Sequence, residues 1–456
     1  MAGISLPLRR LLSSRSYLAQ GAGYAYAGLS MAGPWLLTSA YMQTLGWLEI
    51  PGLSADDLRS FQAVVLYAYC GSMLLTGLIQ LVAARHLSDH LFRKDAAAIL
   101  PAYATTATLS LALHAAACGI ALLVLRPPPA IAVAEAALFG AVGLVSCGMI
   151  FLGVLRNFMM ILAAFAAGMA AALALSLALA PRFGLPGLIL GFAAGHGLIA
   201  AVFQSRLRAE FSARSSWDGF MAATAARHPS LVLIGAAYAV SLWADKMIAW
   251  AGPWGLRSAI GLRVCPIYDN GFFLASFSVL PALVILFIRL EGSFHDKYAR
   301  FYAALRRGAD LPTIRRCRGE IVDSFTATLL RIAVVQGMVT LGAILLAPEV
   351  IERFRVDWIS FYAFRATCLA AYLQMLALAL LLSAIHLALY RVALAVALVN
   401  VSAAVLASWA TWRAGPEYLG FGSVAAAGLA LLLGYPWIRS ILRHLERHTF
   451  MAQLAS

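Results

Sequence analysis

Charge is what this chain has least of. Only 12% of its 456 residues are Asp, Glu, Lys or Arg, against 62% that are hydrophobic. A soluble domain carries about 25% charged residues, so that class is excluded. Lysine is rarer still, confined to Lys94, Lys246 and Lys297, which precede Asp95, Met247 and Tyr298. None stands in a G-K-[ST] context, so the chain has no P-loop with which to draw energy from a nucleotide. The cysteines, Cys70, Cys118, Cys147, Cys265, Cys317 and Cys368, are scattered, with no C-x-x-C or Cys/His ligand spacing. Neither a disulfide framework nor a zinc site is expected. No loop is long enough to fold as a domain. The first apolar segment is too long for a signal-peptide core and no A-x-A site ends it, so no cleaved leader is expected.

Long apolar runs fill the chain instead, at approximately 17–45, 61–84, 98–125, 130–155, 158–180, 185–204, 229–252, 270–290, 325–347, 361–385, 386–412 and 418–442. About 20 apolar residues cross a bilayer as a helix, the form in which every backbone polar group is satisfied within its own segment. Barrel strands would show runs of about 10 residues with alternating polarity. The expected fold is an all-α polytopic membrane protein of about twelve transmembrane helices.

With the N-terminus placed inside, 23 basic residues fall on inner connections and 8 on outer ones, while Lys246, Arg331 and Arg365 lie within spans. That bias follows the positive-inside rule and predicts two cytoplasmic termini. Topology and anionic lipid therefore account for the +14 net charge, and no nucleic acid is required. The two longest connections, 205–228 and 291–324, are both inner. In the second, Phe294, Tyr298, Phe301, Tyr302 and Leu305 recur at helical spacing opposite Lys297, Arg300, Arg306 and Arg307. The pattern fits a helix lying on the inner leaflet, and equally a dock for a cytosolic partner through Arg300, Arg306 and Arg307.

The connection 205–228 divides the spans into six (1–204) and six (229–456). Ala25-Tyr26-Ala27 in span 1 recurs as Ala237-Tyr238-Ala239 in span 7. Two six-helix bundles form a common transporter plan, with the substrate path between them.

Asp245 and Lys246 carry the strongest chemical signal, because charges inside a span are costly and face protein, water or substrate. Neighbours on a helix point about 100° apart, so each needs its own surroundings. Asp245 shares a face with Ser241 and Tyr238. Lys246 shares one with Trp243 and Trp250, a stripe suited to cation–π contact and to stacking on sugar rings. A purely structural role, each charge bonding a neighbouring helix, stands beside the functional one. Glu135, Arg331 and Arg365 lie near span ends, where arginine can snorkel but a short acid cannot. His114 and His196 read as packing histidines, with proton carriage the alternative. Gly33-Pro34, ahead of Trp35, should kink or break span 1. Asp56-Asp57 suits a lipid-linked-sugar glycosyltransferase, yet Ser54-Ala55-Asp56-Asp57 also reads as a capping box opening span 2.

Several runs resemble the PelG family of exopolysaccharide exporters. They are Met1-Ala2-Gly3-Ile4 with Leu8-Arg9-Arg10-Leu11-Leu12; Gly33-Pro34-Trp35; Thr76-Gly77-Leu78-Ile79-Gln80-Leu81 leading to Arg85-His86-Leu87-Ser88-Asp89; Trp243-Ala244-Asp245-Lys246; Tyr268-Asp269; Pro281-Ala282 leading to Arg289-Leu290-Glu291; and Tyr298-Ala299-Arg300-Phe301-Tyr302. Ser5-Leu6-Pro7 departs from that pattern. The resemblance implies a MATE/flippase-like fold of two six-helix bundles. It also implies export of Pel, a GalNAc-rich biofilm polysaccharide, across the bacterial inner membrane. PelD, PelE and the cytosolic glycosyltransferase PelF are the partners it implies. The expected function is thus polysaccharide export without enzymatic activity or cofactor, Tyr26, Gly33, Pro34, Trp35, Tyr238, Trp243, Asp245, Lys246, Glu135, Arg331 and Arg365 lining the path. A flippase or antiporter of lipid-linked oligosaccharide or small cationic substrates is the alternative.

Overall fold

A computed structural model of the chain describes residues 11, 14, 16–212, 217–289 and 295–446. Phe294 of the expected apolar face, Leu290-Glu291, and the N-terminal run 1–10 with Leu12 lie outside them. Apolar runs become helices throughout: α1 Tyr17–Trp47, α2 Ala55–Phe92, α3 Ile99–Leu125, α4 Pro129–Val154, α5 Phe158–Phe183 and α6 Leu185–Glu210. A short α7, Phe220–Arg227, precedes α8, Pro229–Ala251. A two-stranded hairpin, Leu256–Arg257 against Arg263–Val264, then leads to α9 Pro266–Ser276 and, through a 3-10 turn, α10 Leu280–Ile288. The rest comprises α11 His295–Arg306, α12 Leu311–Leu345, α13 Ala347–Arg353, α14 Ser360–His386, α15 Tyr390–Ala414 and α16 Phe421–Arg443.

Eleven helical stretches among the described residues are long and apolar enough to cross a membrane, α9 and α10 counting as one. The expected first span is also helical over 31 residues and carries no charged residue. Its Gly, Tyr, Gln and Ser keep its hydropathy below that of the others. The outward surface of the spans is greasy: Leu123 is 76% exposed and Leu432 71%. In water such a surface would aggregate, whereas hydrocarbon solvates it.

The chain separates into two units. One comprises Ala32–Trp243 and Gly255–Cys265; the other comprises the described residues of Met1–Met31, with Ala244–Trp254 and Pro266–Ser456. In the first, α5 and α6 pack along their length, α4 lies against α6, and α2 and α3 flank α4. Small residues permit this closeness. A Cβ at Gly187, Gly191 or Gly195 of α6 would stand 2.5 Å from Leu179 O, Ser176 N or Gly168 O of α5. That small-residue stripe, repeating every fourth position, is how helices associate where lipid supplies no hydrophobic drive. In the second unit α15 pairs with α16, α14 packs on α16 and α9, and α12 on α14.

Helix ends follow local chemistry. Ser54 accepts the Asp57 backbone N–H at 3.1 Å, and the Asp57 carboxylate accepts the Ser54 N–H at 2.9 Å. The capping reading of Ser54–Asp57 therefore holds, and Asp57 is occupied in it rather than poised for sugar transfer. Lys94, Arg126 and Arg156 just past α2, α3 and α4 adopt left-handed φ of 58°, 48° and 61°. Basic residues thus take the terminating place usually held by glycine, and their charge favours the negative end of the helix.

Candidate functional site

The end of α8 and the start of α9 meet through the hairpin, and this reversal sets two dipeptides side by side. Pro266 opens α9 with the preset φ suited to a first helical position, and Asp269 falls in its first turn, where the helix dipole favours an anion. Since successive residues on a helix diverge by about 100°, Asp245-Lys246 on α8 and Tyr268-Asp269 on α9 meet as two rungs.

In one rung the Tyr268 hydroxyl donates to Asp245 Oδ2 at 3.2 Å, and the Ser423 backbone N–H of α16 donates to the same oxygen at 3.4 Å. In the other, Lys246 Nζ stands 3.5 Å from Asp269 Oδ1 and 4.1 Å from the Phe272 ring centre. Trp250 Nε1 donates to both Asp269 oxygens, at 3.0 and 3.1 Å. Asp245 is 2% exposed and Lys246 4%. Two carboxylates and one ammonium are thus enclosed together. Breaking a buried pair by removing one partner costs about 3–5 kcal/mol, so this cluster binds α8 to α9 and α16.

Three details of the expected site change. Lys246 lies over Phe272, and Trp250 turns its indole N–H to Asp269. Trp243 Nε1 instead points to Met73 Sδ at 3.3 Å. Ser241 donates to the Tyr238 carbonyl of its own helix at 2.8 Å, and Asp245 takes its partners from α9 and α16.

The remaining candidates are dispersed. Tyr26, Trp35, Tyr238 and Trp243 are half-buried, and Gly33 and Pro34 are buried. Pro34 does not break α1, which runs through it, and Thr38 Oγ1 donates to the Pro34 carbonyl at 2.9 Å. Gly33 makes room for Leu162 of α5. Glu135 is half-buried with no ion-pair partner among the described residues, while Arg331 and Arg365 are exposed, Arg365 lying 5.1 Å from the Phe361 ring centre. Arg300 pairs with Glu320 at 3.1 Å, and Arg306 and Arg307 are exposed at the end of α11. The apolar face of α11 is not all presented to lipid: the helix packs along α12 and Phe301 is fully buried.

His196 Nδ1–H donates to the Phe192 carbonyl at 3.0 Å, leaving Nε2 to accept from the Tyr69 hydroxyl at 2.7 Å. His114 is likewise satisfied by the Ser110 carbonyl and Ser72 Oγ. Both are packing histidines in this conformation. A groove of about 810 Å³ between α3, α4 and α6 is lined mostly by Ala, Leu and Gly with Gln204 and Arg208, and by none of the expected path residues.

Sequence reasoning gave Tyr268 and Asp269 no place in the site beyond the resemblance, and overlooked Phe272 and Ser423, which carry no charge to mark them. It also overlooked a second polar cluster. His86 and His90 on α2 converge with Asp218, from the connection before α7, their ligand-type atoms all within 4.8 Å. The expectation of no metal constellation rested on linear spacing, and Asp218 is remote in sequence.

A family model described as "PelG: Putative exopolysaccharide Exporter (EPS-E)" matches residues 1–450. No curated protein matches the chain by sequence. Among solved structures, a MATE family multidrug resistance transporter of the MOP superfamily, in an outward-facing conformation, is similar at 13% identity and a TM-score of 0.62, covering 97% of this chain and 99% of its own. A MOP superfamily transporter from Pyrococcus furiosus is similar at 11% identity and 0.65, covering 97% and 100%. A MATE structure in complex with MaD5 is similar at 11% identity and 0.66, covering 98% and 99%. At such identities the likeness establishes the fold alone, which is MATE-like.

Proposed function

Because the chain belongs to the PelG family of exopolysaccharide exporters, we propose that it carries the GalNAc-rich polysaccharide Pel from cytoplasm to periplasm for the biofilm matrix. In this reading it resides in the bacterial inner membrane with both termini in the cytoplasm. PelD, PelE and PelF work alongside it, Arg300, Arg306 and Arg307 offering them a basic surface. It performs no bond chemistry on its cargo. The single structural observation behind this reading is the charged double rung of Asp245, Lys246, Tyr268 and Asp269 in membrane-spanning helices. Ionic groups are retained at such depth chiefly where function requires them.

The half-buried aromatics Tyr26, Trp35, Tyr238 and Trp243 supply faces on which sugar rings stack, and Glu135, Arg331 and Arg365 supply hydrogen bonds to hydroxyls. Gly33 and Pro34 shape α1 beside them. The rung of Asp245 and Lys246 sets the position of α8, and so of Trp243 and Tyr238 on it. Individually weak contacts suit a polymer that must keep moving.

The test is secretion in a producing strain carrying Asp245→Asn or Lys246→Met, normalised to the amount of inserted protein. Secretion per molecule should fall at least about tenfold, the effect of losing about 1.4 kcal/mol at a limiting step. Unchanged secretion from both variants at normal protein levels would remove these residues from the mechanism. A flippase or antiporter for small lipid-linked or cationic substrates is a second reading, suggested by the multidrug transporters of like fold. Uptake of such a substrate by purified protein in liposomes, without any synthesis machinery, favours it.

A further inference from the structure

We propose that His86, His90 and Asp218 form a site for one zinc-class divalent cation, which clips the connection before α7 onto the end of α2. The argument begins with the helix. At 38 residues α2 is about 57 Å long, well beyond the roughly 30 Å of a hydrocarbon core. His86 and His90 occupy its final turns, past the apolar run of 61–84, and a spacing of four places both imidazoles on one face.

His86 Nε2 and His90 Nε2 stand 3.2 Å apart, and Asp218 Oδ2 lies 2.5 Å from the first and 3.9 Å from the second. Around a tetrahedral ion with bonds of about 2.0–2.1 Å, neighbouring donor atoms are about 3.3 Å apart. The imidazole pair already has that separation, and the carboxylate needs to shift by about 1.5 Å to match it, within reach of a side-chain rotation. The side chains of His86, His90 and Asp218 are only 5%, 12% and 4% exposed, so this is an enclosed set rather than a surface coincidence.

The outer contacts follow the pattern at His86. Metal-bound histidines coordinate through one ring nitrogen and give the other N–H to an oxygen. Here both Nε2 atoms converge on Asp218, while His86 Nδ1 meets Thr224 Oγ1 at 2.9 Å; His90 Nδ1 lies 3.5 Å from Asp95 Oδ2 without a hydrogen bond among the described residues. Asp218 is itself anchored, its backbone N–H donating to Thr105 Oγ1 of α3 at 2.9 Å. A histidine–aspartate hydrogen bond alone would not call for a second imidazole whose nitrogen is aimed at the first. Two imidazoles and one carboxylate form a mixed N/O donor set suited to zinc, with water as a fourth ligand.

The test uses the full-length protein in detergent, stripped with a chelator and titrated with zinc alone against a chromogenic competitor. Wild type and His386→Ala, an exposed histidine at the end of α14, should each bind one zinc per chain and gain thermal stability from it. His90→Ala and Asp218→Asn should bind at least tenfold more weakly and lose that gain. Thr224→Val keeps all three ligands, so it serves if the ligand variants do not fold, and should weaken binding about 10-fold or more. Cobalt should give the intense visible absorption of a tetrahedral ion in wild type and His386→Ala but not in His90→Ala or Asp218→Asn. Wild type without stoichiometric zinc, or folded variants with unchanged affinity, overturns the site.

Discussion

Lys246 and Asp245 adjoin in sequence yet each finds its counterpart on another helix, which makes their energies separable. Removing the ammonium by Lys246→Met takes its cation away from Asp269 and leaves the Trp250 N–H, a neutral donor, beside the carboxylate. Removing the charge of Asp269 by Asp269→Asn leaves the ammonium in the same position. Each single change should lower stability by about 3–5 kcal/mol, because a buried charge without its partner keeps the full desolvation penalty. The double variant Lys246→Met with Asp269→Asn should be more stable than either single one. Thermal unfolding in detergent decides it, and additive losses would show that the two groups do not interact. Asp245 and Lys246 were legible as residues because hydropathy makes charges inside a span conspicuous, whereas Asp269 falls just ahead of the expected span 270–290. Their partners were not: Ser423 contributes a backbone N–H, which no sequence pattern reveals, and Phe272 is one apolar residue among many.

Between elements, close packing depends on where side chains are missing. A Cβ at Gly77 of α2 would lie 2.8 Å from Ala239 Cβ and 2.9 Å from Gly235 O, and one at Gly235 of α8 would collide with the Gly77 carbonyl oxygen. Gly235→Ala should thus force the two helices apart, at about 1–3 kcal/mol. Gly21→Ala in α1, where nothing lies within 4 Å of the new methyl, should instead stabilise by about 0.5–1 kcal/mol. Melting temperatures of the two variants should move in opposite directions, and a shared direction would mean that helix propensity, not contact, governs. Helix existence was readable from hydropathy, but several ends were not. α12 begins at Leu311 rather than near 325 because its first turns carry Arg315, Arg316, Arg318 and Glu320, polar residues that a helix accommodates outside the membrane. The opening of α2 was readable from its capping box. Its continuation to Phe92 was not, since polar residues there disguise an unbroken helix.

On the scale of the whole chain, α1 and α8 each contribute to both units, with divisions at Met31/Ala32 and Trp243/Ala244. These are the two helices that share the Ala-Tyr-Ala echo, at Tyr26 and Tyr238. The run of membrane-length helices was legible because bilayer thickness imposes one length on every span. The division within two helices was not, as it depends on packing between segments distant in sequence. Orientation can be measured directly. In a cysteine-free background, an impermeant maleimide should label Glu49→Cys in intact spheroplasts and Arg307→Cys only after lysis. The reverse pattern would invert the proposed orientation.

The ammonium of Lys246 beside Asp269 has a bearing on energetics. A counter-ion tethered by a side chain can swing but cannot depart, so Asp269 keeps a resident positive charge beside it where a free cation would come and go. Replacing external sodium by choline should leave the state of this lysine–aspartate pair untouched.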